Sequence, residues 1–367
     1  MLVVVPIPRN DAPIMHQKPL GNLPPQPAIQ AWPTREWPES SIDSALPSSQ
    51  KTSFDQLIER ATSPSPSDPL GETHALLLIR NGQIIFEHYP AGTGPADTQK
   101  SWSMAKSITQ ALVGIAVRKG LLSIHDRAPV PEWSDPEDPR HAITWDQLLR
   151  MSSGLDWIEE YVPGQPSDVI EMLFGEHALA NTGAYAANKS LVHPPGSHWL
   201  YSSGTTNIIA RALSEVLGGG FGAIRDFMFA ELFDKIGMAS PMPVLDKVGT
   251  FVGSSFCYST PRDFARFGYL YLRDGVWDGE RILPEGWVDY ARTPTPVPET
   301  ESLGYGAHWW LGLCGPESFS ANGFQGQYTI VLPDLDMVIV RHGLSEGDPG
   351  KEAVQRWLAD LADCFRE

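Results

Sequence analysis

Residues 100–120 carry apolar side chains at helical spacing: Met104, Ile108, Ala111, Leu112, Ile115 and Ala116. The stretch is apolar nearly all round, which predicts a helix buried on most sides and ended by Gly120. Before it, residues 53–62 read as a short amphipathic helix. Residues 75–89 hold two apolar, β-rich runs around Asn81-Gly82, a dipeptide that predicts a tight hairpin. After it the pattern is mostly helical, over 144–151, 167–174, 205–217 and 224–236, with Gly237 as the last stop. Another helix follows Ser259-Thr-Pro-Arg. Strands are predicted around 308–313, 328–332 and 337–341, then a closing helix from about 350 to 365. Strands at both ends with helices between predict one sheet closed by the two ends of the chain, with an inserted helical lobe. The expected divisions are 1–70, a Pro- and Ser-rich arm with a short helix; 71–122 with 251–367, an α/β sandwich; and 123–250, a helical domain.

Composition narrows the classes of function. The 367 residues suffice for a sizeable core, and the net charge of −17 argues against nucleic acid and anionic membrane surfaces. Residues 1–8 are apolar but lack a basic leader and a long apolar run, so the expectation is a cytoplasmic protein without a membrane span. Cys257, Cys314 and Cys364 are odd in number and widely spaced, and are expected to be free, buried thiols. No metal-ligand spacing surrounds His193 and His198, and no cofactor is expected. A homodimer is left open.

The chemistry concentrates at the start of the buried helix. Ser103 and Lys106 lie three residues apart and so share a helix face. The helix N-terminus favours an alkoxide there, and burial lowers a lysine pKa until a neutral amine can take the serine proton. Ser48 and Lys51 match the same Ser-x-x-Lys pattern, but in a Pro/Ser-rich stretch that reads as solvated loop. The blander alternative for Ser103 and Lys106 is an N-cap serine beside a surface lysine. Gly218-Gly-Gly follows no strand and precedes no Gly-Lys-Ser/Thr, so it reads as a helix-ending turn. Trp157, Tyr161, Tyr305, Trp309 and Trp310 are candidate aromatic walls, with Tyr161 the one retained as a substrate-loop residue. His342 is weighed as a cleft-bordering residue against a satisfied histidine.

Three motifs, in order, carry a resemblance. Ser103-Met-Ala-Lys106, Leu148-Leu-Arg-Met-Ser-Ser-Gly-Leu-Asp-Trp157 and Tyr201-Ser-Ser-Gly-Thr-Thr-Asn207 resemble the serine β-lactamase and penicillin-binding-protein superfamily. The similar branch is that of class C β-lactamase-like esterases and 6-aminohexanoate-dimer hydrolase. Arg262-Asp-Phe-Ala-Arg-Phe-Gly268 and Asn322-Gly-Phe-Gln-Gly-Gln327 extend it across roughly 70–365. The resemblance implies an α/β (α+β) sandwich, with a central antiparallel sheet flanked by helices and a helical lobe across a cleft. It places the nucleophile on Ser103, its lysine on Lys106 and a proton-transferring tyrosine on Tyr201. Backbone N–H groups of Ser103 and Phe324 would form the oxyanion hole, and Tyr161, Ser203, Asn322 and Gly323 would touch substrate.

Two departures matter. Ala321-Asn-Gly323 stands where β-lactamases carry Lys-Thr-Gly, and the second motif ends in Ser203 rather than Asn. Losing the lysine disfavours substrates that present a carboxylate to that spot. The expectation is therefore a serine hydrolase cleaving a small ester or amide through an acyl-enzyme. The alternatives are a true β-lactamase or D,D-peptidase, and a non-catalytic relative that keeps the pocket for binding.

Overall fold

The computed structural model describes residues 20–27, 32–162, 164–297 and 303–366. The arm turns into α1 (Ile42–Ala45) and α2 (Lys51–Thr62). The predicted hairpin follows as β1 (Glu72–Arg80) and β2 (Gln83–His88), with Asn81 and Gly82 both at positive φ in the turn. A two-residue strand, β3 (Gln99–Lys100), and a 3-10 turn over Trp102–Met104 lead into α3 (Ala105–Arg118), the buried helix expected from the pattern. Gly120 ends it at φ +69°.

The helical stretch comprises α4 (Trp145–Leu149), α5 (Asp168–Phe174), α6 (Thr182–Ala187), α7 (Ser203–Val216) and α8 (Ala223–Met228). Thr144 and Gln147 form a capping box on α4, and Ser167 and Ser202 cap α5 and α7. Helix α6, rich in Ala and Gly, lacked an apolar stripe long enough to be predicted. Gly218, Gly219 and Gly220 all have positive φ and end α7, the turn expected of them. Next come β4 (Met242–Pro243), β5 (Cys257–Ser259), α9 (Pro261–Leu272), the hairpin β6 (Val276–Trp277) and β7 (Glu280–Arg281), and α10 (Trp287–Arg292). The last third is β8 (Gly304–Tyr305), β9 (Trp310–Leu311), β10 (Phe319–Gly323), β11 (Gln327–Leu332), β12 (Met337–Leu344) and α11 (Gly347–Asp363). The strand predicted over 308–313 shrinks to Trp310–Leu311, because His308 takes a left-handed backbone and breaks the extended run.

Seven strands form one antiparallel sheet in the order β2-β1-β12-β11-β10-β9-β8, so the two ends of the chain do close it. Both faces are covered, which is why β1 and β11 read as near-continuous apolar runs. Leu77, Ile79, Val331 and Val340 face α3 and α9, whereas Leu76, Leu78, Ile330 and Ile339 face α2 and α11. Gly268 lets α9 lie against the sheet: a Cβ there would fall 2.7 Å from Val338 Cγ1. The described part of the arm is strapped to the body by arginines, with Arg266 donating to the Pro33 carbonyl and Arg292 to that of Gly21.

Arg341, on β12, is fully buried without a carboxylate partner. It donates to the carbonyls of Gly326 at 2.7 Å, Leu70 at 3.1 Å and Glu72 at 3.0 Å, and to Ser345 Oγ at 3.1 Å. It thereby ties the β10–β11 turn to the start of β1. Removing the guanidinium strands several buried acceptors, each of which costs about 1–3 kcal/mol. Arg341→Met should therefore lower the unfolding free energy by about 3 kcal/mol, measured by urea denaturation. A loss below about 1 kcal/mol would mean that water reaches these carbonyls.

Candidate active site

The chain reaches Ser103 through a constrained bend. Trp102 has φ +45°, a left-handed conformation that costs a non-glycine residue about 1–3 kcal/mol and persists only where its surroundings hold it. Ser101 supplies the hold. Its Oγ donates to the Ser255 carbonyl at 3.2 Å and accepts from Cys257 N at 2.9 Å, and its carbonyl accepts from Met104 N at 3.2 Å. Ser103 is thus presented at the first turn leading into α3, half-exposed, with the helix axis behind it.

Lys106 is 2% exposed. Its Nζ lies 3.0 Å from Ser103 Oγ, 3.0 Å from Ser203 Oγ and 2.9 Å from the Ser254 carbonyl. The Tyr201 ring centroid is 4.8 Å from the same nitrogen. Burial pushes the Lys106 pKa down to about 8, against an opposing pull from the Glu159 carboxylate. Glu159 is the residue sequence reasoning missed. It accepts from Ser203 N at 2.8 Å, Ser203 Oγ at 2.5 Å, Trp157 Nε1 at 2.5 Å and Tyr161 OH at 2.9 Å. In sequence it is half of Glu159-Glu160, indistinguishable from a solvated acidic pair.

These bonds fix the direction of each proton. A carboxylate and a carbonyl can only accept. The Ser203 hydroxyl therefore spends its hydrogen on Glu159 and offers a lone pair to Lys106. A neutral Lys106 amine would give its two hydrogens to Ser203 Oγ and to the Ser254 carbonyl, leaving its lone pair facing Ser103 Oγ. Behind it, His308 donates from Nδ1 to the Leu149 carbonyl at 2.7 Å and accepts at Nε2 from Thr206 Oγ1 at 3.0 Å. Burial holds its pKa down to about 3, so it bridges α4 and α7 as a neutral ring.

The opposite wall is the turn between β10 and β11. A Cβ on Gly323 would fall 2.4 Å from the Ser101 carbonyl oxygen, so only glycine lets this strand edge come so close to the bend before Ser103. Ser103, Glu159, Tyr161, Tyr201, Trp310, Asn322, Gly323 and Phe324 line one cleft of about 610 Å³. Tyr161 stacks on Phe324 at 4.7 Å. Ser203 lies fully buried behind the cleft, reached through Lys106 and Glu159.

Several weighed residues fall elsewhere. Lys51 begins α2 and pairs with Asp55 on the surface, far in the fold from the Ser103 helix. His342 is buried against Phe264 and Gln327, away from the cleft lining. Trp157, Tyr305 and Trp309 are buried supports. All three cysteines are free and buried, with Cys257 and Cys314 thiols pushed up to about 12 by burial. Among the described residues no group of His, Cys, Asp or Glu could hold a metal ion, and no helix is long and apolar enough to cross a membrane.

The family model described as Beta-lactamase matches residues 72–363. The chain belongs to the beta-lactamase family. A 6-aminohexanoate-dimer hydrolase of Paenarthrobacter ureafaciens is 25% identical over 358 residues, covering 84% of this chain and 85% of that protein. Among solved structures, one from Bacillus anthracis carried under the provisional name 6-aminohexanoate-dimer hydrolase superposes with a TM-score of 0.72 at 19% identity, covering 89% of this chain and 87% of that one. A family VIII carboxylesterase superposes at 0.64 and 13% identity over 87% and 97% of the two chains. The beta-lactamase fold is a hydrolase fold, and the cleft between its sheet edge and its helices is where Ser103 and Lys106 meet.

The Glu159 carboxylate props up the Lys106 pKa against burial, so neutralising it should let that pKa fall further. In Glu159→Gln, the Lys106 Cε resonance should titrate below its value in the unaltered protein. An unchanged or higher midpoint would remove Glu159 from the electrostatics of the site.

Proposed function

We propose that this protein is a serine hydrolase that cleaves small esters or amides through an acyl-enzyme on Ser103. The observation that carries the reading is the Lys106 amine 3.0 Å from Ser103 Oγ, with its other donors committed to Ser203 and Ser254. At pH 7 about a tenth of a lysine with a pKa of about 8 is neutral. That fraction takes the Ser103 proton as Oγ attacks the substrate carbonyl carbon. The negative charge on the carbonyl oxygen falls to the N–H groups of Ser103 and Phe324, and to the positive end of α3. The proton returns to the leaving alcohol or amine through Lys106 and Tyr201, and an ester on Ser103 remains. Water, deprotonated by the same pair, then releases the acid.

The names of the relatives bear on the substrate. One is named a hydrolase of the 6-aminohexanoate dimer, and another a family VIII carboxylesterase. A true β-lactamase is the second reading, favoured by the description of the family model. Against it stands Ala321-Asn-Gly323 in place of Lys-Thr-Gly. Arg341 does not supply the missing charge, because its guanidinium is spent on the carbonyls of Gly326, Leu70 and Glu72.

A fluorophosphonate should add one label, lost in Ser103→Ala; a label that persists would sink the assignment. For esters, kcat/KM should rise with pH through about 8 as Lys106 loses its proton. Lys106→Ala and Tyr201→Phe should each lower kcat by a factor on the order of 10² or more, and the double variant little further. Fully multiplicative losses would mean that the two act separately. On substrate choice, kcat/KM for p-nitrophenyl butyrate should exceed that for a chromogenic cephalosporin. The reverse order would restore the β-lactamase reading.

A further inference from the structure

Ser103 and Lys106 are held by two different segments, and one hydroxyl joins those segments. On the Ser103 side is the bend at Trp102, with φ +45°. On the Lys106 side is the stretch 253–257, whose Ser254 carbonyl lies 2.9 Å from Lys106 Nζ. Ser101 is fully buried between them. Its Oγ accepts from Cys257 N at 2.9 Å, and its one hydrogen is shared by the Ser255 carbonyl at 3.2 Å and the Trp102 carbonyl at 3.0 Å.

The stretch 253–257 is itself stitched to the helices around Lys106. Thr109 Oγ1 on α3 reaches the Gly253 carbonyl at 3.2 Å, and Asn207 Oδ1 on α7 accepts from Ser254 N at 3.1 Å. Ser101 therefore binds the bend to a frame that is fixed already. The bend needs that hold. Left to itself, a residue other than glycine would favour negative φ by a factor on the order of ten to a hundred. The peptide joining Trp102 to Ser103 carries the N–H proposed as an oxyanion donor, so the aim of that donor follows the bend.

We propose that Ser101 is a positioning residue: its hydroxyl keeps Trp102 left-handed and so aims the Ser103 N–H and Oγ at the carbonyl of a bound ester or amide. Ser101 is buried behind the cleft lining and acts through Trp102. The proposal rests on the reading of Ser103 as the acylated residue.

The test is a cycle of Ser101→Ala, Trp102→Gly and the double variant in the full chain. Each is assayed well below its melting midpoint for the rate constant of fluorophosphonate labelling and for kcat/KM on p-nitrophenyl butyrate. Ser101→Ala alone should lower both about tenfold or more. In the Trp102→Gly background the same substitution should cost less than about threefold, because glycine takes positive φ without help. A merely structural serine would cost the same factor in both backgrounds, and that result would overturn the proposal. So would a loss below about threefold in Ser101→Ala alone. Trp102→Gly also removes a ring packed against Phe256 and Phe324, so a crystal structure of Ser101→Ala supplies a reading independent of it. Trp102 should there have moved to negative φ; a residue still left-handed would equally sink the assignment. Failure of the acyl-enzyme reading would show instead as a missing fluorophosphonate label on Ser103, and would leave the φ of Trp102 in Ser101→Ala as predicted.

Discussion

A lysine amine buried among three hydroxyl and carbonyl oxygens is the constraint on which the rest of the site depends. Taking an ammonium out of water is costly, and here it is offset by Ser103, Ser203, the Ser254 carbonyl and the nearby Glu159 carboxylate. Each partner comes from a different part of the chain. Helix α3 holds Lys106 itself, the start of α7 brings Ser203, the segment before β5 brings Ser254, and the segment after Trp157 brings Glu159. The result is a lysine with a pKa of about 8, close enough to neutrality to exchange a proton in either direction.

The second constraint is steric. The sheet edge at Gly323 approaches the bend at Ser101 and Trp102 so closely that a Cβ on Gly323 would meet the Ser101 carbonyl oxygen. Arg341 holds the β10–β11 turn from behind, through the Gly326 carbonyl. Ser103 is therefore gripped between a left-handed residue anchored by Ser101 and a strand edge anchored by a buried arginine.

Charge is distributed unevenly around this frame. The sheet-edge side offers Asn322, Gly323 and Phe324 without the cation that β-lactamases carry in their third motif, whereas the β3 side offers Lys100 above aromatic rings.

Much of this was legible in the chain. Periodicity identified α3, the β1–β2 hairpin and α7 because their burial is regular, and Ser103 and Lys106 could be paired because residues three apart share a helix face. The motifs in order also indicated Tyr201, Gly323 and Phe324. Other elements were not legible. Helix α6 has no apolar stripe, and β8 and β9 are two residues each, too short to leave a pattern. Glu159 looked like any surface glutamate, and Ser101 like any serine before a helix. Local sequence determines which segments become helix or strand, and so the spacing of Ser103 from Lys106. Which way the Ser203 hydroxyl points, how far the Lys106 pKa falls and what holds the bend at Trp102 depend on groups tens to hundreds of residues apart. Tertiary packing alone decided those, because hydrogen bonds and desolvation act through space and leave no periodic trace along the chain.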